Sequence, residues 1–321
     1  SGDAADGSAL AASGAGVMRD DVEVLYQRYR SRPQNGSRGK IIFRGVDGLD
    51  VYNPTAPFMD EGRWCIAARV EGRDSEDSRV RFFLWDGDCR AELLDGMPDF
   101  ALQDPFISRV SGQLLFGGVE VDFSTKRGAV RWRTQFFIGP SVSSLRPLMT
   151  GPWGMKDIRL VELPDKRVLV FTRPQGEPGG HGTIGWTIVS QLADLNEESI
   201  ASATLLSHVE EQYWCGVNEA CVLSSGLVGV LAHVARFDEC GNRHYYAARF
   251  LFDYQCGISS PMAIVACRED FVAGESKRSD LQDVVFPAGL LAGKNGMRLF
   301  CGTSDCEVQW LDIADPFTEE V

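Results

Sequence analysis

No stretch of this 321-residue chain is apolar over the roughly 18 residues that mark a membrane-spanning helix, and no apolar run of signal-peptide length opens it. The expectation is a soluble protein of the cell interior. Basic residues are outnumbered, 32 Lys and Arg against 45 Asp and Glu, and the net charge of −13 excludes nucleic acid or anionic membrane as the main partner. A local basic pocket for phosphate is not excluded. The nine cysteines include no CxxC pair, and the spacings Cys215 to Cys221 and Cys301 to Cys306 match no common zinc pattern. In apolar strand contexts they read as small core residues in a reducing compartment. No Walker or Rossmann glycine pattern occurs, so a nucleotide would bind through its phosphates and by stacking. Helical periodicity is scarce. It is confined to Asp20 to Arg30, a helix or edge strand, and to a connecting turn from Leu192 to Ser199.

What is present is strand signal, as in Val80 to Trp85, Trp132 to Ile138, Ile184 to Val189 and Tyr245 to Phe252. Five times a turn-prone residue precedes a short apolar strand that ends on a polar side chain. The runs start at Gly62, Gly112, Asp165, Gly226 and Gly296, and end at Arg69, Glu120, Arg173, His233 and Asp305. Repeats about 50 to 70 residues apart are the mark of a propeller, which predicts an all-β, five-bladed β-propeller with those strand ends converging on one axis. Two β-sandwiches are the alternative, but they would not put polar residues at matching repeat positions. Residues 1–19 are too small and polar to bury and read as a disordered tail; residues 20–321 read as one catalytic propeller domain.

Individual motifs near the repeats have bland readings when taken singly. Leu102-Gln103-Asp104-Pro105-Phe106 is on its own an Asp-Pro turn, and Lys156-Asp157-Ile158-Arg159 and Arg69-Val70-Glu71-Gly72-Arg73 are exposed ion pairs. Together each lies at or before the polar end of a different repeat. In order with Asn53-Pro54, Thr172-Arg173-Pro174, His233, Phe286 to Gly289 and Gly302 to Asp305, the set resembles the inverting β-mannoside phosphorylases of the five-bladed β-propeller superfamily. The run from Lys156 to Gly176, with Trp214 to Ala220, is more closely similar to the protozoan mannosyltransferase-phosphorylases that make and degrade intracellular β-1,2-mannan, or mannogen.

The resemblance implies phosphorolysis of β-1,2-mannan to α-mannose 1-phosphate and the reverse synthesis, with GDP-mannose as a second donor. An inverting hydrolase needs two carboxylates, whereas phosphate is already an anionic nucleophile and needs one acid and a cationic cradle. Asp104 is then the catalytic acid. Arg73, Lys156, Arg173 and His233 are the phosphate-binding cations, and Asn53, Arg69, Asp157 and Asp305 hold the mannose hydroxyls. Asn218 and Glu219 are further sugar contacts, with a buried turn pair as the alternative. Because cations lower a carboxyl pKa, acid and cations are expected on opposite faces of the sugar, with Leu102 and Phe106 desolvating the acid. No cofactor or metal is required, phosphate being a co-substrate. The expected partners are β-1,2-mannose oligosaccharides, phosphate and a sugar nucleotide. Gln103 and Phe106 stand where the phosphorylase pattern has glutamate and arginine. A propeller hydrolase using Asp104 with Glu120, Asp157 or Asp305, and a non-catalytic scaffold, are the competing readings.

Overall fold

Two-residue turns explain how the repeated strands begin. Glu61-Gly62 and Ser111-Gly112 both adopt positive φ at each position, the backbone twist that joins antiparallel strands without splaying them. A computed structural model describes residues 19–124, 128–177 and 179–318; the tail expected over residues 1–19 falls, except for Arg19, outside the described residues. All five predicted strands are present, as Arg63–Glu71, Gln113–Asp122, Val168–Thr172, Val228–Phe237 and Met297–Thr303. Each is the second strand of an antiparallel unit. The first strands are Asp50–Tyr52, Gln103–Val110, Arg159–Glu162, Trp214–Val222 and Asp283–Ala292.

The five units are therefore all-β. The fourth and fifth are fused through a short parallel pairing of His244 and Tyr245 with Asp283 and Val284. Arg38–Lys40, from near the N-terminus, forms the outer strand of the fifth unit by pairing with Glu307–Ile313 near the C-terminus. Neighbouring units touch in sequence order, and Asp50–Tyr52 of the first unit packs against Met297–Thr303 and Glu307–Ile313 of the fifth. The ring of contacts thus closes on itself.

Alternation along these strands buries Phe, Val, Ile and Leu between adjacent units. Phe82, Phe116 and Leu114 fill one seam, Phe171, Phe250 and Phe252 another. The segment expected as helix or edge strand is the helix Val22–Arg30, N-capped by Asp21, and Tyr26 stacks on Tyr246 with ring centroids 4.9 Å apart. The connecting turn is a single 3₁₀ turn, Leu192–Asp194, followed by a five-residue helix, Glu197–Ala201. Among the described residues no helix is long and apolar enough to cross a membrane. All nine cysteines are unpaired.

Candidate active site

Four predicted site residues share a backbone conformation that L-residues rarely adopt. Asn53, Asp104, Asp157 and Asp305 have φ of 45°, 48°, 59° and 49°. Asn and Asp tolerate this region best, and strain of this kind persists where the surrounding structure over-determines a position. At Asp104 the cause is a bulge between Gln103 and Phe106, which turns the carboxylate out of the strand ladder.

Asp104 is held from the first unit. Its Oδ1 accepts hydrogen bonds from Asn53 Nδ2 at 2.9 Å and Arg69 Nη1 at 3.2 Å. Gly302 leaves the room for this: a Cβ there would overlap the Asn53 side chain and lie 2.6 Å from its backbone nitrogen. Arg69 is buried, lies over the Tyr52 ring at 4.8 Å, and is also bound by Glu71, Glu76 and Ser78. Glu71 accepts from Tyr52, Ser78 and Lys277 as well. Asp305 feels the charges of Arg69, Asp104, Lys277 and Glu71, and burial pushes its carboxyl up to about 6. This wall has two buried cations, Arg69 and Lys277, for four carboxylates, Asp104, Glu71, Glu76 and Asp305.

The second cluster centres on Asp157, which is 3% exposed. Arg173 Nε lies 3.5 Å from its carboxylate, His233 Nε2 3.6 Å and Arg159 Nη2 3.9 Å, and Lys156 contributes further positive field. Burial raises the Asp157 pKa, but the charges of Arg173, Arg159 and Lys156 outweigh it and hold the group below its ordinary value. Arg173 donates from Nε to the Cys215 carbonyl at 3.2 Å, while Nη1 is buried with no protein partner. Gly182 and Gly216 give it space, since a Cβ at either would come within 3.0 Å of the Arg173 side chain.

Several expected placements change. His233 is not a cation: it is enclosed by Tyr245 and Phe286, and desolvation, the largest cause, takes its pKa down to about 3 despite Asp157. Its Nδ1 lies 2.8 Å from Asn218 Oδ1, so it serves as a neutral hydrogen-bonding group. Arg73 is engaged elsewhere, by Asp50 at 2.5 Å and Glu275 at 3.2 Å. Arg69, expected on the mannose hydroxyls, touches Asp104 directly. Leu102 and Phe106 are buried as expected, but Phe106 packs beneath the Arg159 guanidinium at 4.2 Å. Glu219 accepts from the Leu290 N–H at 3.0 Å beside Gly289 and Ala56, and burial lifts its pKa to about 7. Asn218, by contrast, joins the Asp157 cluster, its carbonyl accepting from Arg159 Nε at 3.0 Å. Glu120 binds Arg133 and Gln135 within its own unit.

Sequence reasoning missed Arg159 and Lys277. Arg159 is buried and feels both Asp104 and Asp157, linking the two walls. Its position two residues after Asp157, at the start of the strand Arg159–Glu162, was a usable signal. Lys277 lies in a run of polar loop residues and gave none. A cavity of about 760 Å³ lined by residues 291–298 and 312–314 opens at the other end of the fifth unit's strands and contains none of the predicted residues.

Comparison with known proteins follows this geometry. The family model described as "Protein of unknown function (DUF1861)" matches residues 28–319. No curated protein sequence matches. Among solved structures, the mannose phosphorylase MPT-4 of Leishmania mexicana, determined with a phosphate ion, superposes with a TM-score of 0.86 at 32% identity, over 92% of this chain and 93% of that one. MPT-1, a GDP-Man-dependent mannosyltransferase from Leishmania mexicana, gives 0.85 at 28% identity, over 94% and 96%. The β-1,2-mannobiose phosphorylase of Listeria innocua gives 0.61 at 13% identity, over 85% and 92%, a likeness of fold alone. The chain is an enzyme of the glycoside phosphorylase and glycosyltransferase class. It belongs to the DUF1861 family and shares a structural family with the Leishmania mannose phosphorylase and mannosyltransferase.

Proposed function

We propose that the five units are the blades of a closed five-bladed β-propeller, and that residues 20–321 form one catalytic domain that transfers β-1,2-linked mannose with inversion. In one direction it phosphorolyses β-1,2-mannan to α-mannose 1-phosphate; in the other it extends the mannan from that donor or from GDP-mannose. The cyclic contacts between units and the N-terminal strand on the last unit support the ring. The similar Leishmania structures support the chemistry.

The observation that carries this reading is the opposite charge of the two walls. Around Asp157 three cations, Lys156, Arg159 and Arg173, face one carboxylate and a neutral His233, leaving two positive charges unbalanced. That excess suits a phosphate dianion, and the unpartnered Nη1 of Arg173 supplies a buried donor. Around Asp104 carboxylates exceed cations, and burial raises the carboxyl of neighbouring Asp305 to about 6. A nucleophile held on the cationic side and an acid on the carboxylate side are the two requirements of an inverting phosphorolysis. Asp104 protonates the departing sugar oxygen, and acts as base in the synthetic direction. Asn53, Arg69, Asp157 and Asp305 hold the hydroxyls of the reacting mannose, while Asn218 orients His233 and Arg159. Donors linked α, whether mannose 1-phosphate or GDP-mannose, give β-linked product by the same displacement. The unpaired cysteines favour a reducing compartment.

The test is incubation with β-1,2-mannobiose and longer oligomers with and without phosphate. Phosphate-dependent release of α-mannose 1-phosphate is expected, and equal sugar release without phosphate would replace this reading with a hydrolase. Asp104→Asn is expected to abolish both synthesis and phosphorolysis with the fold intact by circular dichroism; retention of either activity removes Asp104 from its role.

A further inference from the structure

The group that holds Asp104 is itself contested. Arg69 reaches Asp104 through Nη1 alone, whereas Glu71 binds it at two positions, with Oε2 3.2 Å from Nε and 3.1 Å from Nη2. A buried, uncompensated Glu71 would draw the guanidinium towards itself, because a carboxylate without other partners in a desolvated setting pulls hardest on the cation it has. The Tyr52 and Ser78 hydroxyls donate to Glu71 as well, but the second positive charge that offsets that pull is Lys277. Its ammonium is 5% exposed and pairs with Glu71 Oε1, the oxygen turned away from Arg69. It also donates to the Ser75 carbonyl at 2.9 Å and pairs with Glu76 at 3.3 Å, a further carboxylate on Arg69. The Lys277 backbone is fixed in turn, its N–H donating to the Ser304 carbonyl at 3.0 Å, one residue before Asp305.

We propose that Lys277 is a positioning residue for the reaction: by neutralising Glu71 it leaves Arg69 free to hold Asp104 in its reactive orientation. The proposal rests on the reading of Asp104 as the acid. It also explains why the loop between the fourth and fifth units is tied to residues 71–78 of the first. The titratable and charged groups facing this cluster are Asp104, Asp305, Glu71, Glu76, Tyr52, Arg69, Arg159 and Arg278, with Lys277 itself. Removal of one cation from such a set raises the proton affinity of the carboxylates that remain.

The test uses Lys277→Met, Lys277→Arg and the double variant Glu71→Gln with Lys277→Met, assayed for phosphorolysis of β-1,2-mannobiose across pH. Lys277→Met is expected to lower kcat on the order of tenfold to a hundredfold, the worth of one hydrogen bond to a charged group, with the phosphate KM unchanged. Its alkaline limb should move to higher pH. Lys277→Arg should restore both kcat and the limb. The double variant replaces a buried ion pair by neutral groups, which is often neutral for folding, and should recover most of the lost kcat. It therefore decides the matter even where Lys277→Met folds poorly. A wild-type kcat and pH profile in Lys277→Met would overturn the proposal, as would a folded double variant no more active than the single one. Asp104→Asn assayed alongside separates the two levels: its activity bears on the acid, and indifference at Lys277 with Asp104 essential sinks only the positioning role.

Discussion

Arg173→Lys isolates the phosphate cradle. The arginine makes three separable contributions: Nε to the Cys215 carbonyl at 3.2 Å, a charge 3.5 Å from Asp157, and a buried Nη1 with no protein partner. Lysine keeps a positive charge near Asp157 but loses the planar fork, and with it the second donor that phosphate would receive. The loss of one hydrogen bond to a charged group costs about 1.5–3 kcal/mol. At about 1.4 kcal/mol per decade this raises the phosphate KM about 10- to 150-fold. The assay is the initial rate of phosphorolysis against phosphate concentration at saturating β-1,2-mannobiose. The KM for the sugar should move far less. Arg173→Ala also removes the charge 3.5 Å from Asp157 and should raise the phosphate KM further, while Arg159 and Lys156 still face that carboxylate. A phosphate KM in Arg173→Lys within about twofold of wild type, far below that range, would refute the assignment.

Other outcomes follow from contacts that leave no slack. Gly302→Ala should push Asn53 off Asp104, costing about 1–3 kcal/mol of stability through overpacking and most of the activity; a fully active variant would show that the Asn53 contact is dispensable. His244 lies 2.6 Å from Asp283 and 2.8 Å from Asp238 where the fourth and fifth units join, and its pKa is raised by the Asp283 hydrogen bond first, against desolvation. A folded pKa above the unfolded one gives stabilisation that is complete below about pH 6.5 and fades as pH rises through the folded value. The melting temperature should therefore fall across that window in the wild type and less in His244→Ala, and equal slopes would contradict the linkage.

Repeat spacing and turn residues were enough to read the strand pattern, because each hairpin is specified locally by one or two positive-φ residues and by the apolar strand that follows. Asp104, Asp157, Asn53 and Asp305 were singled out by the family resemblance rather than by local turn chemistry; only Asn53 and Asp104 stand before a proline, although all four adopt positive φ. Neither signal disclosed which partner each charge would meet. Arg73 and Arg173 both follow an apolar strand, yet one is captured by Asp50 and Glu275 while the other is buried against Asp157. His233 reads as a cation until Tyr245 and Phe286 are seen to enclose it, and Lys277 reads as loop charge until it is found inside the first unit's network. Strand, turn and residue type were settled within a few residues of each position, through backbone sterics and periodicity. Charge state, pairing and the opposite signs of the two walls were decided only by the tertiary structure, because desolvation and Coulomb energy depend on distances between units that no short stretch of chain contains.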